Sequence, residues 1–425
     1  MTVETGTAPA GGATHAAGRA SADAAGTGAP GLSRPLALLF ALASGLAVAN
    51  VYFAHPLLDR MAEDFGIGHG AVGLVMTATQ IGYGLGLLLI VPLGDLVDRR
   101  RMIVGQSIAS AAVLVLVATA TRGPVFFAAL AVMGLLAVVT QALVAFAAGI
   151  ARPDERGKAV GTVTSGIVIG ILLARTASGT IADLAGWRAV YLVSAGLTLA
   201  VALVLACVLP RDRRAPARTS YPALIGSMVQ LFREMPVLRI RATIAMLIFA
   251  AIVTLLTPLV LPLSAPPFSL SHTQIGLFGL AGAAGALGAA RAGAWADRGL
   301  AQRVTLIGLG LMLLAWLPIA LLPVSLIGPI IGVVIIDFGL QAVHVTNQAM
   351  IYAERPDAQS RLTAGYMIFY SIGSAAGSIA STLTYERFGW TGVSLLGAAI
   401  SAAALIFWAA TRRLTPSRPA EAIHR

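Results

Sequence analysis

Asp337, Gln341, His344 and Gln348 recur at spacings of four, three and four residues, which sets all four on one face of a helix. They interrupt an apolar stretch. An ionised acid in the middle of a bilayer costs about 2.5–3.5 kcal/mol on the insertion scale, so such a group pairs or titrates. Of the 18 acids in the chain, Asp337 is the one that falls in mid-span. It is therefore the candidate proton carrier, with His344 as the second, because an unperturbed imidazole titrates near neutrality. A structural Asp tied to a neighbouring helix is the alternative. Arg175 is the mid-span base. A guanidinium keeps its proton at any useful pH, so it is no carrier. It either binds an anionic ligand or neutralises Asp337. Arg175 precedes Trp187 by 12 residues and Asp337 follows Ser325 by 12, each counted from the outer end of its span. At 1.5 Å per residue both lie about 18 Å from the outer surface. Equal depth permits a pair without requiring one.

Asn50, Tyr52, Gln80, Tyr83, Gln141, Tyr366 and Tyr370 are neutral polar residues able to line a cavity, although polar side chains also tie helices to one another. His55, His69 and His272 fall near outer ends and read as interfacial.

These residues need twelve apolar helices to position them. Stretches of about 20 apolar residues can each cross a bilayer. They run approximately 34–56, 71–95, 101–121, 124–150, 157–184, 187–210, 241–263, 273–295, 303–323, 325–352, 361–385 and 390–411. Only 11% of the residues are charged, against about 25% in soluble domains. The two halves repeat at an offset of 203 residues: Phe65–Leu74 with Phe268–Leu277, Arg152-Pro153-Asp154 with Arg355-Pro356-Asp357, and Gly186-Trp187 with Gly389-Trp390. By the same offset His344 answers Gln141. An apolar chain with such a repeat predicts an all-α membrane protein of twelve transmembrane helices, in two six-helix bundles related by a pseudo-two-fold axis. The expected divisions are a disordered tail over 1–33, bundles over 34–210 and 241–411, a linker over 211–240 and a tail over 412–425. Within the linker, Tyr221–Met235 reads as a surface amphipathic helix.

Charge predicts the orientation. With the amino terminus inside, the cytoplasmic segments hold 24 of the 29 Lys and Arg and the outer loops hold four, Arg60, Arg122, Arg188 and Arg387. This bias predicts cytoplasmic termini in an inner, cytoplasmic membrane. The positive charge is dispersed between apolar segments, so nucleic-acid binding is excluded. The single cysteine, Cys207, excludes an internal disulfide and a cysteine metal cluster.

The loop Gly94-Asp95-Leu96-Val97-Asp98-Arg99-Arg100-Arg101 after the second span, with Gly293-Ala294-Trp295-Ala296-Asp297-Arg298-Gly299 after the eighth, resembles the signature of the major facilitator superfamily. The resemblance runs from about Pro35 to Arg413. Pro153-Asp154-Glu155-Arg156-Gly157 and Gly186-Trp187-Arg188 look like bacterial drug- and sugar-efflux members. The resemblance implies that Asp95, Asp98, Arg99, Asp297 and Arg298 gate, holding the two bundles together in one state; topological charge is their other reading. It also implies that the tenth span lines a central cavity, and that the fifth and eighth spans meet at the bundle boundary. Three positions depart from the pattern. Arg101 replaces a Gly, Ala129 stands where efflux members carry an Arg, and Arg175 stands where similar antiporters carry a Pro.

Gly276, Gly279, Gly282, Gly285 and Gly288 recur every three residues, and Gly166/Gly170 and Gly373/Gly377 are small-xxx-small pairs, suited to close helix packing. Metalloprotease, nucleophile-elbow and P-loop motifs are lacking, so the sequence favours a non-enzyme driven by a gradient. The expectation is a monomeric secondary transporter without cofactors, exporting small organic compounds against protons across the lipid bilayer. The alternative is import of a sugar or organic anion, with Arg175 as the anion's ligand.

Overall fold

A computed structural model describes residues 32–152, 155–210, 220–281, 295–355 and 358–415. Within these ranges the structure is helical. The first half comprises α1 (Arg34–Tyr52), α2 (Leu58–Phe65), α3 (Gly73–Leu89), α4 (Arg99–Thr119), α5 (Gly123–Leu136), α6 (Val139–Ile150), α7 (Arg156–Ala185) and α8 (Trp187–Val208). A connecting helix α9 (Tyr221–Glu234) follows. The second half comprises α10 (Pro236–Leu256), α11 (Val260–Ser264), α12 (His272–Ala281), α13 (Ala301–Leu314), α14 (Trp316–Ile319), α15 (Ile327–Glu354) and α16 (Gln359–Thr411). Prolines in the first turn of α1, α5, α9 and α10 sit where a missing N–H leaves no hydrogen bond unmade.

Ten described segments are long and apolar enough to cross a membrane. One of them, Gln359–Leu414, holds two spans, because Gly389 breaks α16 with a left-handed φ of 61°. The eighth span begins as α12 and has its middle outside the described residues. This accounts for all twelve helices of the fold. Leu197, Leu203, Leu395 and Ile406 are each more than half exposed, as side chains facing hydrocarbon can be.

The internal repeat is written into the backbone. Gly186 and Gly389, 203 residues apart, both have left-handed φ, 83° and 61°, and each separates two spans just before a buried Trp. Gly66 and Ser269, again 203 apart, have φ of 62° and 46°. Serine rarely adopts this conformation, so the repeat has kept the shape of its turn while changing the residue.

Within the first half α1 packs on α7, α3 on α5 and α4 on α8; within the second, α10 packs on α16. Gly170 lets α7 lie against α1, since a Cβ there would come 2.3 Å from the Gly45 carbonyl oxygen. Its repeat equivalent Gly373 lets α16 lie against α10, where a Cβ would come 2.0 Å from the Met246 carbonyl oxygen. Two seams join the halves, α3 with α16 and α7 with α12. At the first, Ser378 donates to the Gly73 carbonyl at 2.9 Å, Thr382 to that of Gly70 at 2.8 Å, and Thr77 to that of Ala375 at 3.0 Å. At the second, Thr176 donates to the Gly276 carbonyl at 3.2 Å. The linker helix α9 packs on the second half, where Phe232 stacks on Phe369. It touches the first half through the Tyr221 hydroxyl, which donates to the Leu89 carbonyl at 2.7 Å.

Candidate functional site

The α1, α3 and α16 helices each deliver a tyrosine to the contact between the halves. The Tyr52 and Tyr370 hydroxyls are 2.9 Å apart, and Tyr83 meets the Tyr370 ring edge-on at 6.2 Å. Gln141 lies beside the Tyr83 hydroxyl. Phe249 of α10 packs on Tyr370 at 4.2 Å and on His344 at 5.3 Å, so it connects the tyrosines to the α15 stripe.

Arg175 reaches into this cluster from α7. Its guanidinium lies 5.7 Å from the centroid of the Tyr52 ring, within cation–π range. Its Nε is buried and has no hydrogen-bond partner. The side chain fits because Gly279 faces it: a Cβ on Gly279 would stand 2.9 Å from Arg175 Cδ. Asp337 is half-buried, and its charge and that of Arg175 act on each other across the interior. Among the described residues no ion pair within 4.0 Å joins them. The two are neighbours in field, not in contact.

The α15 stripe divides. His344 Nδ1 is 2.9 Å from the Tyr366 hydroxyl, which Asn347 also approaches at 3.5 Å. Gln341 and Gln348 are half-buried. Behind His344 a polar chain runs to Arg241, the first residue of the expected seventh span and two residues after Arg239. Arg241 is wholly buried. It donates to Thr305 at 3.1 Å, to Asn347 at 3.3 Å and to Thr415 at 3.3 Å. The signal that could have found this site is Asn347, three residues after His344 and so on nearly the same helical face.

Asn50 and Gln80 lie apart from the cluster. Asn50 accepts a hydrogen bond from Ser194 at 2.6 Å, tying α1 to α8, and lines a small cavity inside the first half with Ser107, Ser110 and Thr198. Gln80 is buried in α3 with Oε1 unpartnered.

Two of the loop residues make hydrogen bonds close by in the sequence. Asp98 caps its own helix, accepting from the Arg101 N–H at 3.2 Å, which holds the N-terminus of α4. Arg99 is buried and donates to the Gly94 carbonyl at 2.9 Å. Arg298 is exposed. The side chains of His69, Asp95 and Asp297 lie outside the described residues, as do Gly282, Gly285 and Gly288. The Gly166/Gly170 and Gly373/Gly377 pairs work inside the halves, whereas Gly276 serves the boundary between α7 and α12.

The Major Facilitator Superfamily profile matches residues 40–356 and 267–424. An uncharacterized transporter, YgaY, of Escherichia coli O157:H7 is 46% identical over 377 residues, covering 89% of this chain and 95% of the relative. A chloramphenicol resistance protein of Streptomyces lividans is 27% identical over 402 residues, covering 91% of this chain and 99% of that one. Among solved structures, a bacterial homologue of the human lysosomal transporter Spinster, inward-facing and occupied, superimposes with a TM-score of 0.71 at 14% identity. That match covers 91% of this chain and 98% of the other, and its likeness is one of fold.

Proposed function

The chain belongs to the Major Facilitator Superfamily of membrane transporters, and on that footing we propose that it exports small organic compounds in exchange for protons, by alternating access. The observation that carries this reading is Arg175 set against the tyrosines between the halves, with the Asp337 charge acting on it across the interior. A rocking of one half against the other changes how far Asp337 lies from Arg175. A nearby guanidinium favours the carboxylate and a dry surrounding favours the acid, so this motion would load and unload a proton. His344 is the second titratable group beside the path. Tyr52, Tyr83, Gln141, Gln341, Gln348, Tyr366 and Tyr370 supply the neutral surface for substrate. Asn50 and Gln80, apart from that cluster, complete the candidate substrate residues, and the loop charges Asp95, Asp98, Arg99, Asp297 and Arg298 are the candidate gate at the basic end. The relative named for chloramphenicol resistance favours export.

The charge bias supports cytoplasmic termini, and the internal repeat supports bundles over 34–210 and 241–411. The chain works as a monomer in a cytoplasmic membrane, and its driving force is a gradient rather than a reaction. Fusions of a compartment reporter after Arg218 and after Arg413 test the orientation, and both should report cytoplasm. For the activity, inverted vesicles carrying an acid-inside gradient are followed with a pH dye while candidate compounds, chloramphenicol first, are added. Export predicts proton release from the vesicles on addition of a substrate. Substrate movement in the same direction as the proton would favour the second reading, import of an organic anion. The specific observation for that reading is the unpartnered, buried Nε of Arg175.

A further inference from the structure

Three ionisable side chains from three segments meet at the end of the bundle opposite the Arg-rich loops. His272 opens α12 in the second half. Asp59 of α2 and Asp183 of α7 come from the first. His272 Nδ1 lies 2.9 Å from Asp183 Oδ1, and Nε2 lies 3.2 Å from both carboxylate oxygens of Asp59. The imidazole is 10% exposed and the Asp59 side chain 14%. A carboxylate only accepts, so both ring nitrogens must donate, and only the imidazolium carries two N–H groups. A neutral ring would turn a lone pair toward one carboxylate. The arrangement therefore calls for a bound proton.

Asp183 also fixes the helix that carries His272. Its Oδ2 accepts from the Thr273 N–H at 2.8 Å and the Thr273 hydroxyl at 2.7 Å, and its Oδ1 accepts from the His272 N–H at 3.2 Å. A residue of the first half thus caps a helix of the second, where a negative charge is favoured. The two helices lie close, since a Cβ on Gly179 would stand 2.2 Å from the His272 carbonyl oxygen.

We propose that His272, Asp59 and Asp183 form a proton-binding latch, separate from Asp337, that fastens the two halves at this end when the proton is bound. The latch rests on the rocking of the halves, and not on Asp337 as the coupling acid. Opening would carry His272 away from both carboxylates and return it to an ordinary imidazole, titrating near about 6.5. In the closed latch the ring is held above that value, first by its hydrogen bond to Asp59 and then, against the effect of burial, by the two charges. The sign follows from linkage. Closure is fully favoured below the ordinary value and loses its advantage as pH rises through the raised one. No other titratable group lies among the described residues of α12. The elements packed against α12 contribute Asp183 and the deeper Arg175 from α7, His55 from the turn at His55–Leu57, and Asp337 from α15; α11 contributes none. Elsewhere on α2, Arg60 pairs with Glu63 and Asp64 with Arg188.

The test is a distance across this end as a function of pH. Thr121→Cys and Val324→Cys sit on exposed turns of opposite halves, away from the latch. They are spin-labelled in a Cys207→Ser background, in lipid vesicles, and the inter-label distance is measured from about pH 5 to about pH 9. The latch predicts a short distance in acid and a growing longer population as pH rises. His272→Gln should remove the pH response. Asp59→Asn, which keeps the imidazole and leaves the Asp183 cap intact, should move the midpoint down by about 1 pH unit. Asp337→Asn should leave the response in place whether or not it abolishes transport. A distance that ignores pH in the unsubstituted protein overturns the latch. So does an unaltered response in His272→Gln or Asp59→Asn, or a response lost in Asp337→Asn.

Discussion

The hydroxyls of Tyr52 and Tyr370 meet at 2.9 Å across 318 residues of sequence, one from each half of the chain. Each ring has a second role: Tyr52 lies beneath the Arg175 guanidinium, and Tyr370 packs on Phe249 and Tyr83. This single bond reports on whether the halves are together at the level of the site.

Removing one hydroxyl leaves the other buried and unpaired, whereas removing both leaves two apolar rings of the same shape. Tyr52→Phe and Tyr370→Phe should each lower stability by about 1–3 kcal/mol, and the double variant should lose less than the sum. Thermal unfolding of the purified protein in detergent measures the cycle. Additive losses would mean that the hydroxyls do not depend on each other.

Arg241 makes a second prediction. It is wholly buried and spreads its donors over Thr305, Asn347 and Thr415, which lie in α13, in α15 and past the end of α16. A planar fork reaches three acceptors that a single ammonium cannot. Arg241→Lys should therefore be destabilised almost as much as Arg241→Met, with a loss of a few kcal/mol in either case, on the order of the largest single-residue effects. The same unfolding measurement decides it, and a Lys variant at full stability would show that charge alone is required.

Glycines offer a contrast within one fold. Gly373→Ala would push a methyl group to within 2.0 Å of the Met246 carbonyl oxygen, which is backbone and cannot rotate away. Gly196→Ala meets nothing within 4 Å and removes a flexible residue from the interior of α8. The first should reduce the folded yield of membrane-inserted protein sharply. The second should leave it unchanged or raise stability by up to about 1 kcal/mol. Size-exclusion profiles of the two expressed variants provide the comparison.

Much of this architecture can be read from the chain because a repeat is a spacing, and spacing is what sequence records. The 203-residue offset that aligns Gly186 with Gly389 also aligns their left-handed backbones, and with them the boundaries between spans five and six and between eleven and twelve. The helical stripe of Asp337, Gln341, His344 and Gln348 follows from the period of a helix, and α15 carries it unbroken. Side-chain partners are another matter. Asp59, Asp183 and His272 come from three segments with no common spacing, so only the tertiary fold brings them together. Arg241 looks like a topological charge because it lies a few residues from Arg233 and Arg239, yet one helical turn decides between surface and core. Asp98 shows the converse. A motif that resembles a gate points to contact between halves, and its carboxylate also caps the helix that follows it, a local bond that the resemblance does not mention.

On the proposed mechanism a proton on Asp337 drives transport through the site beside Arg175. This is tested most directly in Asp337→Asn, reconstituted in vesicles and supplied with a compound that the unsubstituted protein moves against its gradient. Two rates are compared: accumulation driven by a pH gradient, and exchange of labelled for unlabelled compound with no gradient. With Asp337 as the proton carrier, accumulation should be lost while exchange continues, because the site still binds and the halves still rock. Undiminished accumulation driven by the pH gradient in Asp337→Asn would contradict that role.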